Sequence, residues 1–187
     1  MRYLLLSTLF VLGFVACKQT VKGKNGVTYK SASEYNDFIV NRQTTLMKKV
    51  LEFGKAAKEN LDSAEAMVKQ SAVDVEKMIT EIKGMPAYKG DSALRDAAVT
   101  SFSFYKRIFE KDYMDILAIR KKGDENITEA DITEQNRIVA NITSEEGELD
   151  KTFQAAQREY ASKNNMKLLE NKAQNELKKK AETMDKE

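Results

Sequence analysis

Few side chains in this 187-residue sequence are equipped for chemistry, and their types narrow what that chemistry could be. There is no His, no Trp and only one Cys. Without His there is no Ser-His-Asp or Cys-His triad, no usual zinc site and no Glu-x-x-His di-iron pattern. The lone thiol, Cys17, cannot close an intramolecular disulfide. Glu145, Glu146 and Glu148 lie close enough in sequence to suggest paired acid/base carboxylates. At helical spacing they read instead as a solvated face, with Lys151 as an ion-pair partner, and no Trp supplies the platform on which a glycosidase stacks its sugar. Asp124-Glu125-Asn126-Ile127-Thr128 has the beginning of a calcium loop, but Glu129 stands where that loop needs Gly and Gln135 where it needs a bidentate Glu. A capped loop is therefore expected there. No catalytic residue, metal ligand or cofactor site is expected in the chain.

The aromatic residues are the second candidate. Phe102, Phe104, Tyr105, Phe109 and Tyr113 crowd one stretch and are too many to share a single narrow helical stripe. Phe102, Tyr105 and Phe109 fit a core, whereas Phe104 and Tyr113 fall off it and mark a candidate patch for a ligand or partner.

Cys17 gains meaning from what precedes it. One positive charge, Arg2, stands ahead of an apolar run from Leu4 to Val15. That run is too short to span a bilayer, which takes about 20 residues, and suits the h-region of a secretory signal. It ends in Phe14-Val15-Ala16-Cys17, and polar sequence follows at once. This resembles the lipobox of bacterial lipoproteins, with Phe14 in place of the usual Leu. The resemblance implies that residues 1–16 are a signal peptide and that Cys17 is lipidated, becomes the mature N-terminus and anchors the protein to a membrane. Lys18-Gln19 lacks the Asp that retains such proteins at an inner membrane, which points to the outer membrane. No acid stands between Cys17 and Glu34, so an acidic surface-export signal is missing and the periplasmic face is favoured over the cell surface.

The remaining sequence must position these features. With 31 Lys and Arg against 29 Asp and Glu, the charge balance gives no reason to expect nucleic acid. Residues 17–32 hold the anchor and a Gly-, Asn- and Lys-containing stretch that reads as a flexible basic tether. A single Pro and few Gly favour long helices. Tyr35, Phe38, Ile39, Arg42, Leu46, Val50 and Phe53 recur at three- and four-residue spacing in a first helix starting at Ser33. Asn60 and Asp62 should break it, with Asp62 capping a second helix that carries Met67, Val68, Ser71, Val75, Met78, Ile79 and Ile82; a continuous helix through residue 60 is the alternative. Gly84-Met85-Pro86 ends the second helix, and Asp91 caps a third with Leu94, Ala98, Phe102, Tyr105, Phe109, Ile116 and Ile119. Thr128 opens a fourth, with Ile132, Val139, Ile142, Leu149, Phe153, Ala156 and Tyr160 on its apolar stripe. Thr143-Ser144-Glu145-Glu146 reads as a capping box inside that run and points to a kink near 141–147. Met166 and Leu168 should fold back onto the body, and residues 170–187 form a charged tail.

The expected fold is all-α: an antiparallel four-helix bundle over 33–169 on an N-terminal tether. The plan resembles bacterial surface-type lipoproteins with helical-bundle bodies, on the lipobox, Tyr35-Asn36-Asp37-Phe38-Ile39 and Glu148 to Gln157. That resemblance implies a fold and a location but no activity. The function expected is that of a membrane-anchored envelope lipoprotein with a non-enzymatic binding, spacing or structural role, its partners the membrane and an envelope protein. The alternative is a periplasmic or secreted small-ligand-binding protein with its pocket between the third and fourth helices.

Overall fold

The computed structural model describes residues 20–169 and Glu176. Cys17, the expected signal peptide and nearly all of the expected charged tail lie outside the described residues.

The body is an all-α, antiparallel bundle built from four helical rods. The first two are α1 (Ala32–Glu59) and α2 (Leu61–Lys83). The third is assembled from α3 (Ala93–Arg107), a π turn (Ile108–Asp112) and α4 (Tyr113–Arg120), and the fourth is α5 (Glu129–Lys163). One residue reverses the chain between the first two rods. Asn60 adopts an extended conformation, its N–H donates to the Ala56 carbonyl, and its side chain accepts from the Ser63 N–H at 2.8 Å. It thus ends α1 and caps α2, the role expected of Asp62. Ion pairs record the antiparallel order: Arg42 with Glu81 and Lys49 with Asp74 between α1 and α2, then Lys106 with Glu76 and Lys121 with Asp62 across to the third rod.

The sequence stripes of α1 and α2 are buried as their spacing requires. Ile39, Leu46 and Phe53 meet Val68, Val75, Ile79 and Ile82, with Leu94, Ala98 and Phe102 from α3 closing the core. Each of the Val, Leu, Ile and Phe side chains among them contributes about 1.5–3 kcal/mol relative to exposure.

Other expectations are corrected by the structure. Residues 20–32 are no loose tether. Val21–Lys22 and Thr28–Tyr29 form a two-stranded antiparallel hairpin (β1 and β2), with Val21 opposite Tyr29 and Gly26 in the left-handed region. Asn25 stitches it to the bundle, donating to the Tyr29 hydroxyl at 2.7 Å and to the Glu81 carbonyl at 2.9 Å. Tyr29, 1% exposed, packs edge-on against Tyr35 and Phe38. The Gly and Asn that suggested a linker are the turn chemistry of this hairpin, and Ser31 rather than Ser33 caps α1.

In the third rod, the π turn adds a residue to the helical repeat. The buried stripe therefore passes from Phe109 to Leu117, leaving Ile116 only half-buried. In the fourth rod, α5 runs through 141–147 without interruption, and the Thr143 hydroxyl bonds back to the Val139 carbonyl instead of starting a new helix. Its core residues are Ile138, Phe153, Tyr160 and Ala161, while Ile132 and Val139 are about half exposed. The end that was read from Thr128 is observed: its hydroxyl accepts from the Asp131 N–H at 3.2 Å, and the Asp131 carboxylate accepts from the Thr128 N–H at 3.0 Å.

Candidate functional site: the groove between α1 and α5

Three seams of the bundle are packed along their length, between α1 and α2, α2 and α3, and α3 and α5. The fourth is sealed near one end. There the Tyr160 hydroxyl of α5 donates to the Ala32 carbonyl at 3.2 Å, Gln157 donates to Asn36 at 2.8 Å, and the Tyr35 and Tyr160 rings stack. Beyond that closure α1 and α5 stand apart and leave a groove of about 1260 Å³.

Each wall follows from helical spacing. The α1 wall runs from Gln43 to Gly54 and includes Leu46, Met47, Val50 and Leu51. Five apolar residues between 46 and 53 make α1 wider than a one-sided stripe, so it can feed the core with Leu46 and Phe53 and still present an apolar flank. The α5 wall runs from Thr143 to Arg158, with Leu149 and Phe153 facing inward between polar residues. Phe102, Phe104, Tyr105 and Tyr113 of the third rod line its floor. Leu168 and Leu169, just past α5, line it too, and Met166 packs on the core.

Phe104 and Tyr113, the candidate patch residues, are thus brought together at one groove. They are not equivalent: Phe104 is buried with its ring against Tyr105, and Tyr113 is half-buried, stacked on Phe53 and edge-on to Phe109. Tyr105, expected in the core, belongs to the groove as well, where its hydroxyl donates to the Glu146 carboxylate. Burial pushes the Tyr105 and Tyr113 phenols well above the ordinary tyrosine range, and the nearby Glu146 carboxylate adds to the effect. Both stay neutral and serve as amphipathic wall rather than as acids or bases. The groove takes in residues of the third and fourth helices, between which a pocket was expected, and has α1 as its far wall. Met47, Leu51 and Gly147 were not singled out by their sequence; the double-width apolar flank of α1 was the signal that could have found the first two.

Comparison with protein-family models, with curated proteins and with solved structures finds no match.

The electrostatics are sparse. Of the acids considered for catalysis, Glu145 pairs with Arg107 at 2.6 Å, Glu148 pairs with Lys151 at 2.7 Å, and Glu146 holds Tyr105. Along the α5 rim, Glu146, Asp150, Gln154 and Arg158 recur every four residues, with Gln154 donating to Asp150 at 2.7 Å. The rim is acidic at one end and basic at the other. Among the described residues no cluster of His, Cys, Asp or Glu could hold a metal ion, and no helix is long and apolar enough to cross a membrane. A shallower depression of about 530 Å³ lies between α2 and the third rod, beside the exposed Val73. Lys106, with Glu76 at 2.9 Å and Glu110 at 3.5 Å, crosses it with ion pairs.

Proposed function

We propose that this chain is a lipid-anchored envelope protein, held to the membrane through Cys17, that acts by binding rather than by catalysis. The observation that carries the binding role is the groove: a long apolar floor with aromatic residues, walled by two helices that separate after closing at one end. Large concave apolar surfaces with a few polar groups at the rim are where proteins take up ligands and partners. The anchor is supported by the resemblance of Phe14-Val15-Ala16-Cys17 to a lipobox. The lack of an Asp directly after Cys17, and of any acid before Glu34, supports the outer membrane with the body on its periplasmic face.

The same groove supports a second reading, a periplasmic or secreted small-ligand binder, which differs from the first only in lacking the anchor. Site-specific photocrosslinking in intact cells tests the binding role. A photoreactive residue at Leu149 should give a discrete adduct with an envelope component, and one at Lys77, on the α2 face away from the groove, should not. Equal adducts from both positions, or none from Leu149, would reject the groove as the working surface.

A further inference from the structure

The dimensions and polarity of the groove single out one ligand chemistry. Its volume of about 1260 Å³ exceeds the usual 300–1,000 Å³ of small-molecule pockets. It is also elongated: at ~1.5 Å per helical residue, the α5 wall from Thr143 to Arg158 measures about 22 Å and the α1 wall from Gln43 to Gly54 about 16 Å. One leaflet of a bilayer is about 15 Å of hydrocarbon, so a single extended acyl chain matches this length.

Charge sets the direction of such a chain. At one end the wall is Tyr113 stacked on Phe53, with Tyr105 holding Glu146; an anion placed there would face the carboxylates of Glu146 and Asp150. At the other end Arg158 stands exposed. It makes a 3.4 Å contact with Gln154, and among the described residues it pairs with no carboxylate. Gln43 and Gln157 flank it with further amide groups. A guanidinium with free donors is suited to a carboxylate.

The geometry points to a long-chain fatty carboxylate as the groove's ligand, its chain laid along the half-buried Met47, Val50, Tyr105 and Leu149 and its carboxylate at Arg158. This rests on the groove being the binding surface proposed above. Apolar contact along the chain supplies the affinity and Arg158 the preference for an anionic end.

Gly147 makes the proposal testable without disturbing the core. It lines the groove, and a Cβ built on it would meet nothing within 4 Å. Gly147→Phe therefore adds a ring on the α5 wall of the groove without a clash, while replacing a residue that weakens a helix. The full chain in phosphatidylethanolamine–phosphatidylglycerol vesicles is irradiated with a diazirine analogue of palmitate, and labelled peptides are mapped by mass spectrometry. Saturable labelling of 43–54 and 143–158 is expected, competed by palmitate and at least tenfold weaker in Gly147→Phe. Gly147→Leu, a smaller plug, gives the same loss if the Phe variant folds poorly. Arg158→Gln should weaken competition by palmitate about tenfold, as for loss of a charge-assisted contact, and leave competition by hexadecanol unchanged. Labelling that does not saturate, or that the plugs leave intact, overturns the proposal. So does labelling that emerges only when residues 170–187 are removed, which would assign the groove to the chain's own C-terminal segment. If the fatty probe fails while the Leu149 adduct in cells persists, the ligand class is wrong and the groove still binds; if both fail, both readings fall.

Discussion

The rings of Phe53 on α1 and Tyr113 on α4 stack with centroids 4.1 Å apart and planes 18° from parallel. This contact joins α1 to the third rod beneath the groove, where α5 does not reach across to help. Phe53 is buried, so Phe53→Ala loses apolar burial and one face of the stack. The expected cost is about 3–5 kcal/mol in urea unfolding. A cost below about 1 kcal/mol would mean that α1 is not fastened there.

The start of α5 should be sensitive to acid. Lys122, then the Thr128 N–H and hydroxyl, lower the Asp131 pKa from 3.8 to about 2. A carboxylate whose pKa is depressed by folding stabilises the fold above its unfolded value, and that contribution fades as pH falls through the folded value. Asp131→Asn should therefore be less stable than wild type at pH 7, with the gap closing between pH 4 and 2, at the values named above. Thr128→Ala, which removes the other half of the box, should cost about 0.5–2 kcal/mol at pH 7. Thermal melts from pH 7 down to pH 2 check both.

Membrane attachment should depend on one sulfur. Cys17→Ala should abolish incorporation of labelled fatty acid and release the protein from the membrane fraction. A variant that remains membrane-bound after a salt wash would contradict the anchor.

The helical frame was legible in the sequence because its strongest stripes are locally determined. Tyr35, Ile39, Leu46 and Phe53, then Val68, Val75, Ile79 and Ile82, need only a 3.6-residue repeat to be placed, and Thr128 with Asp131 marks a helix start on its own. What escaped depends on contacts distant in sequence. Asn25 could not be read as a stitch without the Glu81 carbonyl it meets, so the hairpin looked like a linker. The π turn at 108–112 moves the stripe by one residue, and nothing in Ile108-Phe109-Glu110-Lys111-Asp112 announces it. Phe104 and Tyr113 were legible as surplus aromatics, but their meeting place was not. It arises because α5 closes on α1 at Tyr160 and Gln157 and then stands away from it, a relationship among three rods.

We propose that the protein works in the space between α1 and α5. The most direct measurement is the in-cell adduct from a photoreactive residue at Leu149, compared between otherwise wild-type protein and Gly147→Phe, with thermal unfolding of both recorded alongside. The account predicts that the adduct is lost in the plugged protein while its melting temperature is unchanged or higher. An adduct of undiminished yield in a folded Gly147→Phe protein would contradict it.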